Sequence, residues 1–420
     1  MQLPGIAPQA QALLQQAAQQ GVRVALVGGA VRDLLLHRVH NDPWRGVPDL
    51  DLVVEGSALA WVGQLGELAA AQVPAGSLAV AAARPHGAYG TVEVELAIDG
   101  QPLLLDVATA RQESYPQQGE NPHVHFGSLD DDLRRRDFSI NAMALVIGAG
   151  DPWPLLDPHG GQRDLEQRQL RFLHNSSVAD DPTRLVRGAR YAARLGFSLA
   201  PAALEQARTT LERWPWAWRR GDAPDQAPAA LGTRLRMELE LLLEREPWPA
   251  ALAALQRWGG LALLDAALHN DRAWPRRLRW AERLQLPMLP ALLAAAADPL
   301  ALAERLQLPH RQHKLLAQWL GLRQRWRGLA GSQHGWSAAQ WCQWLETPGF
   351  SPEAVALELA CAGPEGLPRR PLLRWWLCWR QLKAPLSAAE LMAAEGLRPG
   401  PALGERLRQL RAQRLAGERF

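Results

Sequence analysis

The stretch that decides the fold is residues 24–33, VALVGGAVRD, followed by residues 49–54, DLDLVV. Four apolar residues run into two glycines, which is typical of a buried strand that turns tightly into a helix. Glycines at such a turn let backbone N–H groups approach an anion, because no side chain stands in the way. In residues 49–54, alternation places Asp49 and Asp51 on one strand face, where two carboxylates can share divalent ions.

Asp106 is a third candidate acid. It lies within residues 103–108, LLLDVA, an apolar stretch in which a carboxylate is costly unless it is paired or bound to a metal. Together Asp49, Asp51 and Asp106 could hold two magnesium ions, which activate a hydroxyl and stabilise the leaving oxygens of a phosphoryl displacement. The alternative interpretation is that acids at strand ends only face solvent or cap a turn.

The composition is that of a globular protein. A chain of 420 residues exceeds one ordinary core, so we expect two or more domains. An apolar share of 47% and a charged share of 21% argue against extensive disorder, and no segment predicts a membrane span or a targeting signal. Cys342, Cys361 and Cys378 match no metal spacing or disulfide framework. These features favour a reducing, cytoplasmic location.

The net charge of +3 is unevenly distributed. Residues 1–200 contain 16 basic and 22 acidic residues, whereas residues 201–420 contain 30 and 21. The second half is basic, and the first half is acidic and carries the candidate metal-binding residues. This distribution suggests a polyanionic partner that the second half binds and the first half modifies. The alternative is an arginine-rich surface that only faces solvent.

Secondary-structure patterns change along the chain. Between about residues 20 and 150, strand-like runs alternate with helical segments, which predicts a mixed α/β head. The strand-like runs are residues 24–27, 50–54, 78–83, 91–98 and 103–108. From about residue 180 onward, Leu, Ala, Arg and Trp recur at helical spacing, which predicts an all-helical remainder. Its tryptophans could stack on bases, but packing between helices is the expected role of most.

Two arginine-rich segments are candidates for nucleotide binding. Residues 134–144, RRRDFSINAMA, combine arginines that suit phosphates with Asp137 and Asn141, which suit ribose hydroxyls. Pairing of these arginines with the acids at 130–132 is the alternative. Residues 180–184, DDPTR, open a helix in which Asp181 is the expected N-cap.

Along that helix, Arg184, Arg187, Arg190 and Arg194 recur at spacings of three, three and four, so they share one stripe. Such a stripe repels itself unless it faces anions. Asp181 and Arg184 together could present an acceptor and donors to the Watson–Crick edge of a base. The alternative is that Asp181 only caps the helix and the arginines pair with the acidic head.

With these segments in order, the chain resembles the class II tRNA nucleotidyltransferases, the family of CCA-adding enzymes and bacterial poly(A) polymerases within the polymerase-beta-like superfamily. The matching stretches are LVGGAVRDLLL with DLDLVVEG, RRRDFSINAMAL, DPHGGQRDLEQRQLRFL, DDPTRLVRGARYAARLGF and GTRLRMELELLL. They span residues 26 to about 243. The resemblance implies an α/β nucleotidyltransferase head with a mixed sheet at residues 1–150, a helical neck at 151–245, and a helical, tRNA-binding body and tail at 246–420.

The resemblance also assigns roles to single residues. Magnesium ions would bind Asp49 and Asp51, with Asp106 as the third catalytic acid. The triphosphate would bind at Gly28, Gly29 and Arg32. Contacts to ribose and phosphates would come from Arg136, Asp137 and Asn141. The incoming C or A would be read by Asp181 and Arg184, supported by Arg187 and Arg190. A phosphate-facing terminal helix is expected to carry Arg406, Arg408, Arg411 and Arg414.

The implied reaction is template-independent addition of C and/or A to the tRNA 3′ end from CTP or ATP, as CCA synthesis or repair. The tRNA 3′-hydroxyl would attack the α-phosphorus and pyrophosphate would leave. A specialised CC-adding or A-adding enzyme and a poly(A) polymerase remain open, because all are expected to keep Asp181 and Arg184. A non-catalytic RNA-binding protein is the alternative from another class, and the three retained acids speak against it.

Two local features bear on nucleotide choice. Residues 111–128 correspond to the loop that, in the family, helps the switch from CC to A addition. That region is intact, which argues against a CC-only enzyme. Asp180 stands where the family usually has Glu, and the shorter acid is expected to alter how the base-reading residues are oriented.

Overall fold

The structure is a computed structural model that describes residue 4 and residues 6–46, 49–71, 78–87, 90–149, 152–329, 335–363 and 366–417. The chain divides into two compact units. The first comprises Met1–Arg220, Pro228–Glu238 and Glu246–Gly260, and the second comprises Gly221–Ala227, Leu239–Arg245 and Leu261–Phe420. The predicted boundaries between head, neck and body stay predictions, and residues 150 and 151 lie outside the described residues.

The first unit contains all the strands that the structure describes. They are β1 (Val24–Val27), β2 (Asp49–Val54), β3 (Leu78–His86), β4 (Thr91–Ile98), β5 (Gln101–Thr109), β6 (Arg111–Ser114), β7 (His123–Phe126), β8 (Ala144–Val146), β9 (Leu155–Leu156), β10 (Gln169–Leu170) and β11 (Ser198–Leu199). Seven of them form one mixed sheet in the order β3-β4-β5-β2-β1-β8-β9. The β2–β5 pair is parallel, and the other neighbours in this sheet are antiparallel. All five predicted strand-like runs lie within these strands.

The period-two pattern of β2 is confirmed. Asp49 and Asp51 are exposed, whereas Leu50 and Leu52 are buried in the core. Two details differ from the expected all-helical neck: Leu155–Leu156 pairs with β8 at the edge of the mixed sheet, and Ser198–Leu199 pairs in parallel with Gln169–Leu170. Two residues are too few to show a periodic signal, so the sequence pattern could not reveal either pairing.

The helices of the first unit pack against one another and on the sheet. They are α1 (Pro8–Ala18), α2 (Gly29–His40), α3 (Ala58–Ala71), α4 (Leu129–Arg134), α5 (Gly161–Glu166), α6 (Ser177–Asp180), α7 (Thr183–Leu195), α8 (Pro201–Arg213), the first part of α9 (Thr233–Arg245), and α10 (Trp248–Arg257). Helix α3 lies against β3, β4 and β5, and α10 packs along α7. This packing fixes α7, which carries the predicted arginine stripe.

Helices joined by loops make up the second unit, which contains no strand among its described residues. Besides the remainder of α9 it contains α11 (Ala266–Asn270), α12 (Trp274–Arg283), α13 (Met288–Leu293), α14 (Pro299–Arg305), α15 (His310–Arg327), α16 (Ala338–Leu345), α17 (Pro352–Cys361), α18 (Arg369–Leu377), α19 (Ala388–Glu395) and α20 (Pro401–Ala416).

Tryptophans fill the core of this second unit. Trp341, Trp344, Trp375 and Trp379 are buried in one cluster, and the partly buried Trp326 stacks on Trp341 with ring centroids 5.5 Å apart. Packing rather than base stacking is therefore the role of these rings, as expected. The three cysteines are free thiols. Among the described residues, no helix combines the length and apolar character that a membrane crossing requires.

Candidate active site

One arginine-rich cleft in the first unit gathers most of the predicted site residues. It encloses about 430 Å³, within the range of small-molecule sites. Its lining is Gly28, Gly29, Arg32, Asp51, Arg111, Glu113, Tyr115, Arg135, Arg136, Asp137, Asn141, Asp181, Arg184, Arg187, Tyr191, Arg194 and Arg234. Eight of these residues are arginines and four are acidic. The excess of positive charge suits a polyphosphate.

The Gly-Gly turn forms one wall of the cleft. Gly28 adopts a φ of +71° and precedes the first residue of α2. A Cβ atom on Gly28 would lie 3.2 Å from both Nη1 of Arg136 and Oδ2 of Asp51. The close approach and the left-handed conformation both require glycine. The helix N-terminus therefore stays open to an anion beside Asp51, as the sequence predicts.

The three predicted catalytic acids lie on two paired strands. Asp51 of β2 stands directly opposite Asp106 of β5 in the parallel register, and Asp49 lies two residues before Asp51. Desolvation raises the pKa of Asp51, Arg136 opposes this shift, and the charges of Asp106 and Asp49 raise the pKa further. Desolvation and the charge of Asp49 also raise the pKa of Asp106. Mutual repulsion of this kind is typical of carboxylates that await a cation.

A metal at this place would need oxygen atoms from a ligand. Among the described residues, no group of three or more His, Cys, Asp or Glu side chains converges tightly enough to hold a metal ion. Asp49 and Asp106 lie outside the lining of the cleft, which includes Asp51. Magnesium is commonly held by one or two carboxylates together with substrate phosphates. The acids therefore fit a metal that arrives with a polyphosphate.

The predicted phosphate and ribose residues form one connected network. Arg32 donates through Nη1 to Oδ1 of Asn141 at 2.9 Å and pairs with Asp33. Asn141 donates through Nδ2 to Oδ1 of Asp137 at 3.1 Å, and Arg187 donates through Nε to the other carboxylate oxygen of Asp137 at 2.8 Å. Burial acts to raise the pKa of Asp137, but Arg187 and Asn141 outweigh it and hold the pKa low. The network fixes the side chains that a ribose would meet.

Asp132 supports this wall although the sequence did not single it out. Its buried carboxylate pairs with Nη2 of Arg135 at 2.7 Å and Nη2 of Arg136 at 2.9 Å. The alternative named above, in which these arginines pair with the neighbouring acids, is therefore correct, and the same arginines also line the cleft. Asp132 lies three residues before Arg135 and four before Arg136, and this helical spacing was the signal available in the sequence. Asp132 orients two arginines, and both still line the cleft.

Asp181 and Arg184, the pair predicted to read the base, lie at the start of α7. This helix starts at Thr183, so Pro182 rather than Asp181 is the cap position, but Oδ1 of Asp181 still accepts from the backbone N of Thr183 at 3.1 Å. Oδ2 of Asp181 accepts from Arg234. Arg184 donates through Nη2 to the carbonyl oxygen of Arg135 at 3.0 Å. Both members of the pair are almost fully buried and line the cleft.

The rest of the arginine stripe is neutralised within the chain. Arg190 pairs with Glu238 and Glu246, and Arg194 pairs with Glu246. Arg190, which pairs with both glutamates, does not line the cleft, whereas Arg194 does. The predicted support from Arg190 is therefore indirect. The acids that pair with the stripe are Glu238 on α9, Glu246 directly after α9, and Asp137. They are not spread over the head.

Residues 111–128 form a hairpin that reaches the cleft. β6 pairs with β7, and Glu113 and Tyr115 line the cavity. Burial first and then the charge of Glu113 raise the pKa of Tyr115 to about 12. His123 and His125 are exposed on β7.

The backbone of Gly119 connects this hairpin to Asp180, the residue before Asp181. The backbone N of Gly119 donates to the carbonyl oxygen of Asp180 at 3.1 Å, and the carbonyl oxygen of Gly119 accepts from the backbone N of Ala230 at 2.9 Å.

From the sequence, no individual role was assigned to seven of the residues that line the cleft. They are Arg111, Glu113, Tyr115, Arg135, Tyr191, Arg194 and Arg234. Arg234 lies within the matching stretch GTRLRMELELLL, and this position was the available signal. Arg135 and Arg194 lie within the noted arginine clusters. For the two tyrosines, nothing in the local pattern points to a site.

The four C-terminal arginines all have partners in the second unit. Arg406 pairs with Glu395 and Arg408 with Glu405. Arg411 pairs with Glu346 and also donates to the carbonyl oxygens of Leu382 and Trp379. Arg414 donates to the carbonyl oxygen of Lys383 at 3.2 Å. Arg408 is the most exposed of the three that form ion pairs, with 70% of its side-chain surface accessible, and Arg411 the least, with 24%.

Comparison with known proteins agrees with this arrangement. Residues 24–171 match the Poly A polymerase head domain family. The chain is 36% identical to the CC-adding tRNA nucleotidyltransferase of Deinococcus radiodurans, and the alignment covers 96% of this chain and 88% of that protein. It is 38% identical to the A-adding tRNA nucleotidyltransferase of Halalkalibacterium halodurans over 44% of this chain and 38% of that protein.

A solved structure shares the fold along nearly the whole chain. The Thermotoga maritima CCA-adding enzyme complexed with tRNA superposes with a TM-score of 0.68 at 24% identity, covering 99% of this chain and 94% of that one. The mixed sheet and the helical remainder are therefore both parts of one known architecture.

Proposed function

Because the chain belongs to the tRNA nucleotidyltransferases, we propose that it adds C and/or A nucleotides to the 3′ end of tRNA from CTP and ATP, without a nucleic acid template. One observation carries this proposal. A single arginine-lined cleft joins Asp51, the Gly28 turn, and the Asp181–Arg184 pair. Polyphosphate binding, chemistry and base reading thus have their residues in one cavity.

The residues divide the work by chemistry. The Gly28–Gly29 turn and the arginines would bind the triphosphate, and Asp137 and Asn141 would contact the ribose. Asp49, Asp51 and Asp106 would hold magnesium, which when bound activates the attacking hydroxyl and stabilises the leaving oxygens. Asp137, paired with Arg187, keeps its charge because its pKa is held low. Asp132 keeps Arg136 beside the turn.

Base reading requires an exchange of partners. Asp181 already accepts from Arg234 and Thr183, and Arg184 already donates to Arg135. A base that presents a donor to Asp181 and an acceptor to Arg184 would replace some of these internal bonds. The internal partners keep the two side chains hydrogen-bonded and ordered before the nucleotide arrives, which lowers the entropy cost of binding.

The proposal takes C addition as the first activity to test. The relative that aligns over nearly the whole chain is named as CC-adding, which favours CTP as a substrate. The hairpin at residues 111–126 favours A addition as well, because the family resemblance associates this region with the switch to A. A tRNA that already ends in CC separates the two, since only an enzyme that adds A can extend it with ATP.

The experiment supplies tRNA lacking CCA, tRNA ending in C, and tRNA ending in CC, each with labelled CTP or ATP and Mg²⁺. We expect CTP incorporation on the first two substrates. If CTP is incorporated, extension of tRNA ending in CC by a single A would make the enzyme CCA-adding, and failure of that extension would make it CC-adding. Incorporation only of A onto tRNA ending in CC would make it A-adding. Repeated A addition would indicate a poly(A) polymerase. No incorporation on any substrate would overturn the enzymatic proposal and leave RNA binding.

The remaining assignments belong to the same proposal. Magnesium as the ion, ATP as a second nucleotide, and the cytoplasm as the compartment rest on the sequence. The division into a head at 1–150, a neck at 151–245 and a tRNA-binding body and tail at 246–420 is likewise proposed. Within the tail, Arg408 is the best candidate for a phosphate contact, because its side chain is the most exposed of the ion-paired arginines there.

A further inference from the structure

His174 lies outside the cleft lining but touches one of its base-reading residues. Its Nε2 atom is 3.3 Å from Nη1 of Arg184. The backbone around it is held on both sides, because the carbonyl oxygen of His174 accepts from the N of Ser177 at 3.1 Å and from Nε2 of Gln206 at 2.9 Å. These hydrogen bonds fix the backbone that positions the imidazole.

The hydrogen-bonding roles around His174 follow from chemistry. A guanidinium can only donate, so Nε2 of His174 must be the acceptor and its proton must sit on Nδ1. Nδ1 lies 3.0 Å from Oγ of Ser176, which can accept that proton. The Ser176 hydroxyl in turn donates to Oδ2 of Asp180 at 2.6 Å. Each hydrogen in this series has one donor and one acceptor, and the series ends on a carboxylate.

We propose that His174 is a positioning residue, which holds the guanidinium of Arg184 for base reading while Asp180 fixes the imidazole tautomer through Ser176. The proposal rests on the proposed function of Arg184. It also gives a role to Asp180, which stands where the family usually has Glu. The shorter carboxylate lies 3.9 Å from Nδ1 of His174, and Ser176 bridges the gap.

The charges around the imidazole keep it neutral near pH 7. Desolvation lowers the pKa of His174, the positive charges of Arg184 and His159 lower it further, and Asp180 acts in the opposite direction. The other titratable groups that line the same small cavity of about 370 Å³ are Glu113, Tyr115, Asp131, Arg134 and Arg135. Once protonated, the imidazole loses its acceptor and repels the guanidinium. Acidification should therefore release Arg184 and weaken base selection.

The test compares His174→Leu, which removes the acceptor, with His174→Gln, whose amide oxygen replaces it without titrating. His310→Gln, an exposed histidine at the start of α15, is the matched control. The readouts are KM and kcat for CTP, and the ratio of wrong to correct nucleotide incorporated, on tRNA lacking CCA. For His174→Leu we expect KM and the error ratio to rise about tenfold, the factor for one charged hydrogen bond, with a smaller change in kcat.

The pH profile separates positioning from a merely structural role. In the wild type, the error ratio should rise as the pH falls through the pKa of His174, which lies below the usual histidine value, because the imidazole then gains a proton. His174→Gln should keep near-normal selectivity and lose this pH dependence. Ser176→Ala should raise KM, because the imidazole is then free to carry its proton on Nε2. Ser176→Ala behaving as wild type at every pH would remove the role of Asp180.

Failure of this inference is distinct from failure of the proposed function. A wild type that incorporates nothing overturns the function itself. An active wild type whose His174→Leu variant matches His310→Gln in KM and error ratio overturns the positioning role. Thermal melting checks that the variants fold. Where His174→Leu fails to fold, His174→Gln decides, since an unchanged pH profile in that variant contradicts the proposal.

Discussion

Arg234 donates a hydrogen bond to Oδ2 of Asp181, from a helix that begins about fifty residues further along the chain. The other oxygen of Asp181 accepts from the hydroxyl of Thr183 at 2.6 Å. Nη1 of Arg234 is buried and has no hydrogen-bond partner in the part of the chain that the structure describes. Asp181, which is proposed to read the base, is thus held by an arginine that lines the cleft and has a further N–H group available for a ligand.

Arg234→Gln should impair nucleotide selection more than folding. The variant leaves Oδ2 of Asp181 without its charged partner, and it removes a donor from the cleft. We expect KM for the correct nucleotide to rise about tenfold, as for one charged hydrogen bond, which steady-state kinetics will measure. Arg245→Gln, an exposed residue at the end of the same helix, is the control. Equal KM values for the two variants would contradict a role of Arg234 at the site.

Asp51→Ala should abolish incorporation while tRNA binding persists. Asp51 stands opposite Asp106 and beside Gly28, where a metal would join acid and phosphate. Loss of a metal-binding carboxylate removes several kcal/mol of transition-state stabilisation, or roughly three orders of magnitude in rate. Filter binding with tRNA and primer extension measure the two properties, and Glu67→Gln on the exposed face of α3 is the control. Loss of tRNA binding would instead reassign Asp51 to the fold.

Asp132→Asn should lower the stability of the protein and leave Arg135 and Arg136, which line the cleft, less firmly oriented. Burial acts to raise the pKa of Asp132, but Arg136 and Arg135 outweigh it and hold the pKa below the usual value. The carboxylate therefore contributes stability at pH 7 that is lost as the pH falls through the lowered pKa. We expect the free energy of unfolding at pH 7 to drop by about 2–3 kcal/mol.

Urea unfolding at several pH values tests this linkage. The difference between wild type and Asp132→Asn should persist down to about pH 4 and shrink below it, as the wild-type carboxylate gains its proton. Asp130→Asn, an exposed neighbour on the same helix, should change little. A difference that stays constant down to pH 2 would show that Asp132 acts by shape rather than by charge.

Gly119→Ala should disturb the link between the hairpin and the base-reading residues. Gly119 has a φ of +84°, and a Cβ there would lie 2.7 Å from Cδ1 of the buried Trp216. The strain should cost about 1–3 kcal/mol, which thermal melting measures. We also expect a higher KM, because Gly119 bonds to Asp180. Gly148→Ala, where nothing crowds the added Cβ, is the control, and identical melting of both variants would contradict the prediction.

Two arginines of α20 should behave differently from one another. Arg408→Gln should weaken tRNA binding and reduce the slope of affinity against salt by about one, as for a lost phosphate contact. Arg411→Gln should instead lower the melting temperature, because Arg411 holds Glu346 and two backbone carbonyls. Unchanged tRNA affinity in Arg408→Gln would remove α20 from the RNA-binding surface.

Short-range patterns predicted the parts of the site that lie within single elements. The exposed acids of β2, the glycine turn before α2, and the arginine stripe of α7 all follow from periodicities of two and 3.6 residues, which depend on backbone geometry alone. The cap of α7 lies one residue later than expected, because Pro182 takes the cap position, while Asp181 accepts a hydrogen bond from the backbone N of Thr183.

The partners of these side chains could not be predicted in the same way. Nothing in the sequence pattern of α7 indicates that Arg190 pairs with Glu238 and Glu246 and does not line the cleft. The pairing of Arg234 with Asp181 and the contact of His174 with Arg184 also join separate segments. Such contacts depend on how helices pack, and many packings are compatible with one local pattern.

By itself the sequence determined the mixed head, the helical remainder, the family, and most of the residues that line the cleft. It did so because backbone periodicity and side-chain chemistry are local properties. The tertiary structure alone decided which charges remain available to a ligand. That choice depends on distances between residues far apart in the chain, since a charge already paired at about 3 Å interacts far less with a ligand than one left open.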